Sequence, residues 1–460
     1  MTVDTKATGD SIKNGPTGTV WSSSVNLAKT IMGTGLLSLP YAFAGCGLVW
    51  GITFTVACSI LGLLGMFFIG DLMHLGGERP TYCSVATRAA GRVGGVLADL
   101  GVLVICMGAA TMCLIIASTS LPSLVGHGRS PIERQLYVAG SVALVTPLCL
   151  LRRVNSLRFT SSIGIAALTF IAVMILVFAM PGAADAGFDA CSGRPDCRGE
   201  VSLGAEPLSV IKQVVIFANA YVCHQSVVPI VAEMERPTRM RRLAAFTGAT
   251  GFACLTFLVV ATAGYFTFGA NATSDILRSY PADSIFASFA RAGILIDVLS
   301  TYPLQVFYSR VPIISLLETC GRVRGESPEE DGGEQHFLTG RLDIACSFGI
   351  LALTTSVALL VEDLGIIVSL IGGTGATMIS YIVPGLARAS WRGGEEEQAA
   401  SDENEPIVVV AANMHGDVSN ATDTLLPSRW ATSASRAAAV VVFVMGCMLM
   451  PLSVVLTVWV

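Results

Sequence analysis

Residues 28–40, AKTIMGTGLLSLP, place Lys29, the triplet Gly33-Thr34-Gly35 and Pro40 inside an apolar stretch, 20–49, long enough to cross a bilayer. Two glycines this close cost a helix about 2 kcal/mol of propensity, and they free local N–H and C=O groups. Pro40 removes a further donor. Backbone dipoles freed at membrane depth can hold an ion or a small polar solute, because irregular backbone survives there only against protein or a watery cavity. Close packing of small residues against another helix is the other reading of the triplet. A second stretch, 215–237, VIFANAYVCHQSVVPIVAEMERP, puts Asn219, His224 and Gln225 at similar depth, followed by Pro229. Histidine exchanges its proton near physiological pH. His224 is therefore a proton-coupling candidate, with a helix-packing hydrogen bond as the plain alternative.

These residues need membrane helices to position them, and the composition supplies them. Only 13% of the 460 residues are charged, and the mean hydropathy is +0.67. A soluble chain carries about a quarter charged residues, so this is an all-α polytopic membrane protein. Eleven spans are expected, at about 20–45, 48–73, 93–121, 136–151, 159–180, 207–233, 243–268, 284–316, 342–361, 364–387 and 436–459. The two interrupted spans are the first and the sixth. The second lies five spans after the first, so spans 1–5 and 6–10 read as inverted repeats with an eleventh helix appended, and paired breaks of this kind point to a transport site. Arginines crowd the even-to-odd loops, as in Arg88, Arg92, Arg152, Arg153 and the run ERPTRMRR, which places the N-terminus in the cytoplasm and the C-terminus outside or in a lumen.

The expected organisation is a disordered cytoplasmic tail over 1–19, a ten-helix core over 20–387, an acidic disordered cytoplasmic loop over 388–435 and the last helix over 436–460. Of the sequons, Asn271 falls in an exoplasmic loop and is expected to be glycosylated, whereas Asn420 falls in a cytoplasmic one and is not. Most cysteines sit in apolar segments as small hydrophobes. Cys191 and Cys197 lie instead in the polar loop DACSGRPDCRGE, expected to close a disulfide in an oxidising compartment, with two free thiols as the alternative. Asp99, Lys212 and Arg291 read as span-end charges. Asp297 lies deeper and could pair with Lys29 or Arg291. GGTG at 372–375 reads as helix packing rather than a phosphate loop. No metal-ligand cluster, nucleotide loop or nucleophile constellation is expected, hence no enzyme, cofactor or nucleic-acid partner.

Two stretches carry a resemblance. NLAKTIMGTGLLSLPYAFAGCGLVWG (26–51) resembles the first-span pattern of the amino acid/auxin permease family, and FANAYVCHQSVVPIVAEMERPTRMRR (217–242) resembles its sixth span. Within the family the chain looks most like sodium-coupled neutral amino acid transporters and vacuolar amino acid transporters. The resemblance implies a LeuT-type fold of 5+5 inverted repeats and amino acid transport by alternating access, in a plasma or vacuole-like membrane. It assigns the substrate carboxylate to Gly33, Thr34 and Gly35, through half-helix N–H groups. It assigns the ammonium and side chain to Phe217, Ala218, Asn219 and Tyr221.

Sodium-coupled members bind their ion through an asparagine of the first span and a hydroxyl of the eighth. Ser300 and Thr301 supply the hydroxyls here, but Lys29 stands at the asparagine position. An ammonium has donors and no acceptor, so it cannot ligate sodium. It could stand in the ion's place as a tethered cation or carry a proton. The alternative is a lysine snorkelling to the cytoplasmic interface. The expectation is transport linked to a proton, or uncoupled, rather than to sodium. A sodium-coupled transporter and a membrane amino acid sensor acting through cytoplasmic partners are the competing readings.

Overall fold

The computed structural model describes residues 18–459 except 34, 78–79, 126–129, 150–157, 193, 320–339 and 392–427. The expectations for residues 1–17 of the tail, for Thr34, for Asn420 and for most of the acidic loop therefore lie outside the described residues.

The first span is two short helices. Thr19 caps α1 (Val20–Ile31), its side chain accepting from the Ser22 N–H at 3.1 Å. The chain leaves helical geometry after Met32 and re-enters it in α2 (Gly35–Cys46), which runs through Pro40 without a second break. The ring of Pro40 packs on Gly264, where a Cβ would stand 2.8 Å from it. Gly47 turns the chain with φ +82° into α3 (Leu48–Leu72).

The third expected span is longer than its apolar core. The helix α4 (Tyr82–Val125) contains a kink at Ala90 and Gly91, the latter at φ +69°. The residues before the kink form an extra helical arm that hydropathy alone does not mark. Next come α5 (Pro131–Cys149) and α6 (Arg158–Phe178). The sixth span is also split, into α7 (Pro207–Ala220) and α8 (His224–Ala232). After them run α9 (Arg239–Phe268), α10 (Ile285–Thr319) and α11 (Gly340–Leu360). The tenth expected span begins as α12 (Leu364–Ile371), widens into two π-helical turns over 372–382, and ends as α13 (Val383–Ser390). The last helix, α14 (Ser428–Trp459), starts eight residues before the expected 436. Its polar start docks on α13, with Arg388 donating to Ser435 Oγ at 2.8 Å.

A helix thus occupies each expected span. Among the described residues seven helical stretches, counting α7–α8 and α12–α13 as one each, are long and apolar enough to cross a membrane, among them α3, α4, α9 and α10. Among the described residues β pairing is limited to one bridge, Gly18 with Met234. There Gly18 N–H donates to Glu233 O at 2.9 Å and Glu235 N–H donates to Gly18 O at 2.8 Å, tying the start of α1 to the end of α8.

The broken helices are central. Leu36, Leu37, Leu39, Ala42 and Phe43 of α2 are fully buried, and α2 packs along α7 and α9. The helix α10 packs along α4, while α14 lies at the periphery against α13 and the π turns. Burial on all sides explains why α2 shows no polar face: its neighbours are helices, not water.

Candidate substrate and ion site

The two breaks touch. A Cβ on Gly35 would stand 2.9 Å from the Ala220 Cα, closer than side chains tolerate. Glycine is therefore required for α2 to meet α7 at this point. Gly33 differs: a Cβ there would find only its own Thr30 O, at 3.9 Å, so its face is open. Among the described residues no acceptor meets the N–H of Gly33 or Gly35. At the start of α2 these donors carry the positive end of a helix dipole. On the other side, α1 and α7 present their C-terminal carbonyls toward the breaks. An arrangement with N–H donors and carbonyls at one point can hold the two ends of a zwitterion.

The sequence-assigned residues of α7 divide between faces. Phe217, fully buried, joins an aromatic cluster with Phe43 and Phe54 at 5.9 and 5.7 Å. Ala218 packs on the opposite side with Phe68, Tyr381 and Ala439. Tyr221 lies edge-on to Phe257 at 5.2 Å, its hydroxyl without a hydrogen bond among the described residues. Asn219 and Ala220 are the ones next to the break. A Cβ on Gly372 would lie 3.1 Å from the Asn219 Cβ and would collide with Val215 O, so the first π turn is pressed onto the end of α7. GGTG is a helix-packing element, as its composition suggested. The Asn219 side-chain amide, 9% exposed, has no hydrogen bond among the described residues. Sequence reasoning missed Ala220, whose small size beside a polar residue was the available signal.

His224 opens α8 and is fully buried. Its Nε2 lies 3.0 Å from Gly62 O of α3 and its Nδ1 lies 3.0 Å from Ser380 Oγ of the second π turn. A neutral ring satisfies both, with Nε2–H donating and Nδ1 accepting. Gly65 makes room: a Cβ there would stand 2.7 Å from Nε2. The GLLG spacing at 62–65 was the legible trace of this contact.

Lys29 and Asp297 come together. A Cβ on Gly164 of α6 would collide with Asp297 Oδ1 and stand 3.4 Å from Lys29 Cε. Each acts on the other's charge. Lys29 is half-buried and Asp297 is 8% exposed. Ser300 Oγ donates back to Ile296 O at 2.7 Å within its own helix, and Thr301, the next residue, is half-buried. Arg291 is not the partner of Asp297. It is fixed by carbonyls of the loop after α9, Leu277 at 2.9 Å, Tyr280 at 2.8 Å and Pro281 at 3.1 Å. Asp99 is buried, and Ser315 Oγ, near the end of α10, donates to it at 2.5 Å.

In the loop after α6, the Cys191 and Cys197 sulfurs lie at bonding distance, with Cα atoms 5.6 Å apart. Arg194 between them donates to Ser279 O at 2.6 Å, and Asn271 Nδ2 donates to Asp196 O at 2.8 Å. The two loops are thereby joined.

Known proteins share this plan. Residues 16–412 match the profile of the family described as Transmembrane amino acid transporter protein. Vacuolar amino acid transporter 5 of Schizosaccharomyces pombe is 28% identical, over 79% of this chain and 83% of that protein. Sodium-coupled neutral amino acid transporter 7 of Danio rerio is 25% identical, over 78% of this chain and 76% of that protein. Among solved structures, MhsT in complex with L-phenylalanine superposes with a TM-score of 0.55 at 10% identity, over 93% of this chain and 98% of that one. A Na+-coupled sialic acid symporter in a substrate-bound outward-open state gives a TM-score of 0.50 at 13% identity, over 94% and 91%. At these identities the structures speak for the fold alone. The profile covers most of the chain, and the chain belongs to the transmembrane amino acid transporter family.

Proposed function

We propose that the chain carries an amino acid across a vacuole-like or plasma membrane by alternating access, as a secondary or facilitative transporter. The observation that carries this is the contact of the two helix breaks at Gly35 and Ala220. The unmet N–H groups of Gly33 and Gly35 would take the substrate carboxylate. Asn219 and the α7 carbonyls would take the ammonium. In this reading the chain crosses the membrane eleven times with its N-terminus in the cytoplasm, and spans 1–5 and 6–10 are inverted repeats. The Cys191–Cys197 disulfide and a glycan on Asn271 would then lie on the outer side.

We propose further that Lys29, paired with Asp297, stands where sodium-coupled relatives bind their ion, so that transport is proton-linked or uncoupled. The name of the Danio rerio relative favours sodium as the second reading. Uptake of a panel of labelled amino acids into proteoliposomes, at several pH gradients with and without sodium, decides. Sodium-independent, saturable uptake is expected. Strict sodium dependence would overturn the coupling, and absence of flux with retained binding would leave a sensor.

A further inference from the structure

Away from the helix breaks, a cavity of about 190 Å³ opens between α4, α5, the loop after α9 and the start of α12. Ser118, Thr119, Ser130, Arg134, Arg278 and Glu362 line it. Its two arginines are not equivalent. Arg134 is committed to the end of α11: it donates to Ala358 O at 2.6 Å and Val361 O at 3.0 Å, and pairs with Glu362 at 3.3 Å. The Arg278 side chain forms no hydrogen bond among the described residues, and its charge neighbour is Asp275, whose carbonyl its backbone N–H meets at 2.9 Å. The Asp275 carboxylate is itself engaged by Thr119 Oγ1 at 3.2 Å and the Leu277 N–H at 3.1 Å. The cavity therefore holds a guanidinium fork with its donors in hand. It also holds the Glu362 carboxylate, whose side chain is 69% exposed.

A guanidinium and a carboxylate across a small cavity match a free amino acid, whose carboxylate suits the planar fork and whose ammonium suits the acid. We propose that this cavity is a second amino acid site, in which Arg278 binds the α-carboxylate and Glu362 the ammonium. The volume admits a small solute. Thr119 joins the site to the loop after α9, which packs on α2 and bonds the N-cap of α12, so a bound amino acid would rest beside that loop. This rests on the transporter reading above.

The test is equilibrium binding of the labelled amino acid panel to the purified full chain in nanodiscs, beside uptake by the same preparation. The expected result is that Arg278→Gln and Glu362→Gln each halve the binding stoichiometry, while Gly35→Val removes the other half. Acetate and methylamine, each with one of the two charges, should compete far less than an amino acid. Among the described residues the Arg278 side chain makes no hydrogen bond that its loss would break, and monodisperse elution confirms folding. Flux with one binding site in the unaltered protein overturns the second site and leaves transport standing. Full stoichiometry in both variants overturns it too. No binding and no flux overturn both proposals.

Discussion

Lys29 and Asp297 face one another across Gly164, a position where any side chain would collide with the carboxylate. Removing one partner strands the other charge in a poorly solvated place. Lys29→Met should therefore lower stability by about 1–3 kcal/mol, less than for a fully buried pair because Lys29 is half-exposed. Lys29→Met combined with Asp297→Leu should recover most of that loss. Thermal unfolding in detergent reads it, and additive losses would show that the two groups are independent. Lys29→Asn should also weaken the response of uptake to a pH gradient.

Gly33 and Gly35 should behave differently although they are two residues apart. Gly35→Ala drives a methyl into the Ala220 backbone, so it should remove most transport, about tenfold or more. Gly33→Ala enters open space and should leave the fold intact while raising KM. Side-by-side uptake with surface quantification decides, and equal effects would contradict the placement.

His224 bonds Gly62 and Ser380 at once, so His224→Ala leaves two buried groups without a partner. About 2–4 kcal/mol of stability should be lost. The pH dependence of residual uptake should not move. A displaced pH profile would return His224 to the proton pathway.

Burial pushes the Asp275 carboxyl above the usual carboxylate range, and the Leu277 N–H, Arg278, Thr119 and Arg291 hold it back only in part. The folded state therefore binds this proton more tightly than the unfolded chain does. Its contribution is fully present below the ordinary carboxylate pKa and is lost as pH rises through the raised value. Asp275→Asn should flatten that part of the stability profile. Melting curves over the acidic range are the check, and an unchanged slope would refute it.

Asn271 should carry a glycan in a eukaryotic host and Asn420 should not. A glycosidase mobility shift in single-site variants reads this. Modification of Asn420 would place one fewer or one more crossing before it.

Much of the fold was legible because lipid leaves few options: long apolar runs become helices. The breaks were legible because Gly33, Gly35 and Asn219 contradict their surroundings. Boundaries set by packing were not. The arm before Gly91 and the polar start of α14 carry too little hydropathy to be seen, and Arg388 meets Ser435 only in three dimensions. The π turns at 372–382 leave no periodic signature. The faces of α7 could not be told apart in the sequence for a related reason. Phe217 and Ala218 looked equivalent in sequence, yet one joins the aromatic cluster and the other packs toward α14. Lys29 with Asp297 was one of two pairings the sequence left open, and Arg291 is removed from the choice by the loop carbonyls that hold it.

The bridge between Gly18 and Met234 fastens the start of α1 to the end of α8. A methyl at Gly18 would press within 2.7 Å of Glu233 O, so the stitch tolerates no larger residue. Its two backbone hydrogen bonds are worth about 1–3 kcal/mol together. That is the size of gap at which a molecule samples two shapes rather than freezing in one. The start of α1 is thus held by a fastening weak enough to unzip thermally, and Gly18→Ala should shift the balance toward the unfastened form.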